Sequence, residues 1–268
     1  MQITTHHAPK AGNTEAEYED AFRVTRCGAA DVPPEGDAAT RGEGGIPPGP
    51  AQGDGSVRVV VADGASESLL AGRWARTLTD VFAAAPEAAY GEAAGFAAVA
   101  AEAADAWPDV VAAYVAEREE RGSPLRWYER PGLARGAFAT VLAVAVGATG
   151  WRAAAMGDTC LFHVRDGVLL AAFPLDDPEA FGTAPPLLGS RELDTALVAE
   201  RVRLASGELG PADVLYACTD ALAAWILACD APPWDTLDRA EFAAWLDAER
   251  TAGRMANDDV TLVRVAPR

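Results

Sequence analysis

Five groups of carboxylates border apolar, β-like runs instead of lying along solvated helix faces: Glu19-Asp20, Asp63, Asp158, Asp220 and Asp258-Asp259. Carboxylates gathered at strand ends repel one another, and a multivalent cation offsets that repulsion by taking oxygen ligands from several of them. Only three histidines occur, His6, His7 and His163, and the cysteines Cys27, Cys160, Cys218 and Cys229 show no CxxC spacing. A zinc site or a histidine-centred triad is therefore poorly supplied. Any metal here takes mainly oxygen ligands, which directs attention to magnesium or manganese. The alternative is five unrelated caps and turns, since Asp beside Gly is a common turn pair.

Positioning these groups requires strands that end where they sit. Val59, Val60 and Val61 form a β-branched run suited to a strand enclosed on both faces, and it delivers Asp63, a residue costly to bury unless paired or bound to a cation. Ser66-Glu67-Ser68 supplies a cap for a helix expected to run to about Ala85, with Leu69, Leu70, Trp74, Leu78, Val81 and Phe82 on its core face. A second helical stretch, about Ala88 to Arg121, is expected to be interrupted at Pro108, with Phe96, Trp107 and Tyr114 in the core. From Gly136 the period changes to two. Strands at 139–145, 151–156, 160–164 and 168–173 read as an antiparallel meander, with Asp166-Gly167 a hairpin turn and Asp158 between the second and third strands. Asp213 to Cys218 is another buried strand, and Asp220 opens the helix that follows it. A helix from about Thr236 to Ala252 and a strand from Val260 to Val265 close the chain.

The 268 residues and a 50% hydrophobic fraction imply one globular domain, residues 1–268. Residues 27–56 carry eight Gly and five Pro without apolar periodicity and read as a long mobile loop. The formal net charge of −18 disfavours nucleic acid and anionic membrane surfaces as partners. No apolar run approaches a membrane span, and the opening MQITTHHAPK lacks the regions of a signal peptide, so a cytoplasmic location is expected. The cysteines read as reduced core thiols.

Six short motifs carry a resemblance: YEDAF at 18–22, VVVADGASES at 59–68, GAFATVLAVAV at 136–146, MGDTCLFHVRDG at 156–167, DVLYACTDALA at 213–223 and NDDVTLVRV at 257–265. In this order and spacing the chain resembles the metal-dependent protein phosphatases of the protein phosphatase 2C type, in their bacterial branch. The resemblance implies an α+β fold, a four-layer α-β-β-α sandwich whose two antiparallel sheets carry the metal site at one edge. It implies that Asp63 bridges two divalent cations, Mn2+ or Mg2+, with the Gly64 carbonyl, Asp220 and Asp258 as further ligands. Glu19 and Asp20 match the acidic pair that acts largely through metal-bound waters, and Asp158 matches a ligand of a third, weaker ion. Thr140 falls in a segment expected to be structural. The implied activity is hydrolysis of phosphoserine and phosphothreonine by a metal-activated water, without a protein nucleophile. Phosphorylated Ser/Thr proteins are the implied substrates and a serine/threonine kinase the implied counterpart.

The chain also departs from that pattern. Ala65 stands where many eukaryotic members have a histidine proposed as general acid, Ala221 where a glycine follows the ligand, and Ala224 where an acidic third-metal ligand is common. Asp259 replaces the usual Asn and is expected to add charge beside the site, and no arginine near the amino terminus matches a phosphate-gripping one. Two other functions are compatible with these departures: a catalytically weak regulatory or binding module on the same fold, and a phosphatase of small metabolites.

Overall fold

The computed structural model describes residues 1–27, 56–182, 184–234, 237 and 241–267. The loop expected at 27–56 falls outside them except at Cys27 and Ser56. The described elements are β1 (Gln2–Ala8), β2 (Ala21–Arg26), β3 (Val57–Gly64), α1 (Ala71–Ala84), α2 (Ala93–Glu120), α3 (Arg130–Arg135), β4 (Phe138–Val146), β5 (Gly150–Met156), β6 (Cys160–Arg165), β7 (Val168–Phe173), β8 (Leu188–Gly189), α4 (Thr195–Arg201), β9 (Arg203–Glu208), β10 (Asp213–Cys218), α5 (Asp220–Ala228), α6 (Phe242–Thr251) and β11 (Val260–Ala266). No helix among the described residues is long and apolar enough to cross a membrane.

Period-two alternation builds the layers. In β3, Val57, Val59 and Val61 face one buried cluster while Val60 and Ala62 face another. The first cluster lies between two sheets, where Leu142, Val144, Leu161, Leu215 and Val263 join it. The second packs against α1 and α2 through Trp74, Leu78, Phe82, Phe96 and Trp107. A third cluster joins the outer face of the other sheet to α5 and α6 through Phe162, Leu222, Ile226, Phe242 and Leu246. The result is the expected α-β-β-α sandwich. One sheet runs β1-β11-β10-β6-β7 and the other β2-β3-β4-β5-β9, with β8 beside the start of β4, and the pairings are antiparallel.

Several expectations need correction. The four strands after Gly136 are not one meander: β4 and β5 pair in one sheet, β6 and β7 in the other. The chain changes sheets at Gly157-Asp158-Thr159, where Gly157 takes a φ of 108° and a Cβ would overlap the Thr140 side chain. Ser66 to Ser68 do not cap a helix. They form turns, and α1 starts later, after Leu70 in the left-handed region without a side-chain cap. Pro108 does not interrupt α2, because it lies on an exposed face where water can satisfy the carbonyl that loses its partner. Helix α6 is described from Phe242, and Thr236 lies outside the described residues. Cys160 and Cys218 are buried, whereas Cys27 and Cys229 are half-buried, and all four are free thiols. Tyr114 is half-buried, with the guanidinium carbons of Arg73 and Arg118 at 5.1 and 5.6 Å from its ring centre.

Candidate active site

Register brings the carboxylates together. Ala21 pairs with Ala62, so Asp20, one residue before β2, comes beside Asp63. Asp63 pairs with Thr140, and β4 pairs with β5 up to Met156, which leads through Gly157 to Asp158. In the other sheet Cys218 pairs with both Cys160 and Leu262, setting Asp220 at the same end as Asp158 and Asp258. One cavity of about 590 Å³ is accordingly lined by Asp63, Gly64, Asp158, Asp220 and Asp258. Its outer wall is formed by Leu69, Arg135, Phe138 and Leu187.

Asp20 joins the two sheets beneath that cavity. Its Oδ2 accepts from Thr261 Oγ1 at 2.8 Å, and the Thr261 amide donates to Thr219 Oγ1 at 2.9 Å. Tyr18 bonds the same Thr261 hydroxyl. The other carboxylate oxygen, Asp20 Oδ1, is buried without a hydrogen-bond partner. Burial above all, with Asp259 and Asp220 nearby, raises the Asp20 carboxyl to about 8. Asp63 is pushed well up by burial and then by the charges of Asp20, Asp220, Asp158 and Asp258. Asp158 is raised to about 6 by burial and by Asp220, and Asp220 rises through burial and Asp258.

Glu19 is placed differently. Its carboxylate lines a neighbouring cavity with Lys10, Ser66 and Arg76, and its acidity is weakened mainly by partial burial. Its backbone is pressed against the site: a Cβ on Gly64 would lie 2.8 Å from the Glu19 carbonyl oxygen, and one on Gly72 3.1 Å from Glu19 Cα. Asp259 adds its charge beside the site as expected, helping to raise Asp20 and Glu19, and it is also buried as a backbone clamp. Its Oδ1 accepts from the Lys10 amide at 2.8 Å and its Oδ2 from the Glu19 amide at 2.7 Å. An asparagine could accept only one of these bonds and would turn its NH2 toward the other amide. Thr140 is buried and bonds the Thr159 hydroxyl at 2.7 Å, as a structural residue would.

The donor set is all oxygen, and the unpartnered Asp20 Oδ1 is a buried acceptor of the kind a hard cation satisfies. These residues fit magnesium or manganese. They do not stand as a ready-made cage: no group of three or more His, Cys, Asp or Glu side chains among the described residues is arranged as one. The carboxylates instead turn to local amides, Asp220 Oδ1 to Ala221 at 2.5 Å and Asp258 Oδ1 to Asp259 at 2.9 Å.

No protein-family model matches the sequence, and no curated protein matches it. Solved structures match it over its length. The Mycobacterium tuberculosis serine/threonine phosphatase PstP/Ppp is 15% identical over 100% of this chain and 99% of that chain, with a TM-score of 0.55. A bacterial serine phosphatase is 11% identical over 100% and 98%, with a TM-score of 0.59. The catalytic domain of serine threonine protein phosphatase PstP in complex with 2 manganese ions is 16% identical over 98% and 96%, with a TM-score of 0.53. Two antiparallel sheets between helical layers, with strand ends converging on an acidic cavity, thus give this chain the fold of the bacterial serine/threonine phosphatases of the protein phosphatase 2C type.

Proposed function

We propose that the chain is a metal-dependent phosphatase that hydrolyses phosphoserine and phosphothreonine esters in proteins. The observation that carries this reading is the convergence of Asp63, Asp158, Asp220 and Asp258 on one cavity above the unpartnered Asp20 Oδ1. The likeness to serine/threonine phosphatases, one of them in complex with 2 manganese ions, supports it.

In this reading Asp63, the Gly64 carbonyl, Asp220 and Asp258 hold two divalent cations, with Glu19 and Asp20 adjoining them and Asp158 available to a third. Manganese or magnesium, when bound, supplies Lewis acidity toward the phosphoryl ester and makes water nucleophilic near neutral pH. The chain's own side chains supply placement and charge. Asp259 fixes the Glu19 backbone, Gly64 lets it approach β3, and Thr261 aims Asp20. The hydroxyls lining the cavity are engaged elsewhere, Ser68 Oγ by the Ala65 carbonyl and the Phe138 amide, Thr140 by Thr159 and Ser66 by Lys10 and Glu19, and no histidine among the described residues lines the wall to activate one. The buried carboxyls of Asp63 and Asp20 hold their protons tightly and would have to give them up on ligating a cation. The reaction that supplies the substrate is serine/threonine phosphorylation by a kinase.

Phosphate release from a phosphothreonine peptide tests the reading. Turnover with added manganese that is abolished by a chelator is expected, whereas no metal-dependent turnover contradicts it. Strong preference for a small phosphorylated metabolite over the peptide would reassign the substrate.

A further inference from the structure

The acidic floor of the cavity leaves its outer wall unexplained. Leu69, Phe138 and Leu187 form an apolar strip there, with Phe138 39% and Leu187 37% exposed although both lie beside buried strand ends. Arg135, at the end of α3, is the cation on this wall, and it is exposed and forms no ion pair among the described residues. In a chain of net charge −18, an anionic substrate meets a repulsive field except where a cation interrupts it. Apolar strip, lone arginine and acidic floor are thus parts of one cavity. A small, wholly polar phosphorylated metabolite has no apolar part to set against such a strip, whereas a peptide carrying the phosphoester extends its neighbouring side chains along it.

We propose that this wall is a substrate-reading subsite: Leu69, Phe138 and Leu187 receive a bulky apolar side chain flanking the phosphorylated residue, and Arg135 draws the anionic peptide to the mouth. The inference rests on the phosphatase reading of the floor but concerns which peptides it admits.

Two phosphothreonine peptides differing only in Leu or Ser beside the phosphorylated residue test it, on the manganese-loaded protein, by kcat/KM and by anisotropy of fluorescent versions. The Leu peptide is expected to be favoured roughly five- to tenfold, since a half-exposed pocket gains only part of the apolar transfer. Phe138→Ser and Leu187→Ser, made separately, are each expected to bring the ratio of the two peptides toward one. A ratio within one sample depends only on folded protein, so loss of material does not imitate the effect. Arg135→Gln is expected to raise KM for both peptides and to flatten its rise with salt. Equal use of both peptides by the wild type, or an unchanged ratio in both serine variants, overturns the apolar subsite. An unchanged KM and salt dependence in Arg135→Gln overturns the role of the arginine. Absence of turnover would overturn the phosphatase reading alone, because the Leu preference in anisotropy still decides the subsite.

Discussion

Asp63→Asn is expected to lower manganese-dependent phosphate release by more than about a hundredfold while leaving the fold intact. Outer-shell partners of a metal site already cost roughly 10–100-fold, and Asp63 is proposed as a direct ligand. Four other carboxylates, Asp20, Asp220, Asp158 and Asp258, act on its charge. Asn keeps the shape of the side chain, and the β3–β4 pairing at Asp63 and Thr140 belongs to the backbone. Circular dichroism should therefore be unchanged, and the metal-free variant should be no less stable than the wild type because like-charge repulsion is relieved. Phosphate release within a few-fold of the wild type would remove Asp63 from the proposed metal set.

Asp20→Asn is expected to stabilise the metal-free protein at pH 8 and to cut the stabilisation that manganese provides. The sign follows from the folded-state carboxyl, raised from 3.8 to about 8, mainly by burial. A carboxyl whose folded pKa lies above its unfolded one binds its proton more tightly in the native state. The metal-free protein therefore loses stability as pH rises through the window from 3.8 to about 8. Asn carries no charge and retains an oxygen for Thr261, so its pH dependence across that window should be shallower. At pH 8 a rise in melting temperature of several degrees is expected, at roughly 2–4 °C per kcal/mol for a chain of this size. Added manganese should raise the melting temperature of the wild type more than that of the variant, since binding to the native state alone stabilises by mass action. Thermal scans at pH 5 and pH 8, with and without manganese, check both; a variant less stable than the wild type in metal-free buffer at pH 8 would contradict the account.

The parts of the fold legible in the sequence are those where burial is extreme. Val59, Val60 and Val61 announce a strand enclosed on both faces because each face meets an apolar layer, and Asp63 and Asp220 stand out against such runs. Asp166-Gly167 is legible because both residues take positive φ, which an Asp-Gly hairpin turn accepts. Strand β1, QITTHHA, is not legible, because it lies at a sheet edge with polar and apolar residues mixed and takes its conformation from β11. Edge strand β9 is hidden for the same reason, its exposed face leaving little apolar alternation. The sheet change at Gly157 looks like an ordinary turn in sequence, since what distinguishes it is the partner each flanking strand finds. Asp259 shows the limit for the site. Its bonds reach amides 249 and 240 residues away, at Lys10 and Glu19, and no local pattern predicts such a clamp.

The central claim is that these carboxylates hold divalent cations. Crystals of the protein soaked in manganese and measured at an energy where manganese scatters anomalously test it most directly. Two anomalous peaks are expected in the cavity, both contacted by Asp63, with Asp220 and Asp258 turned from their local amides toward them. Well-ordered crystals with no anomalous peak in contact with Asp63, Asp220 or Asp258 at saturating manganese would contradict it.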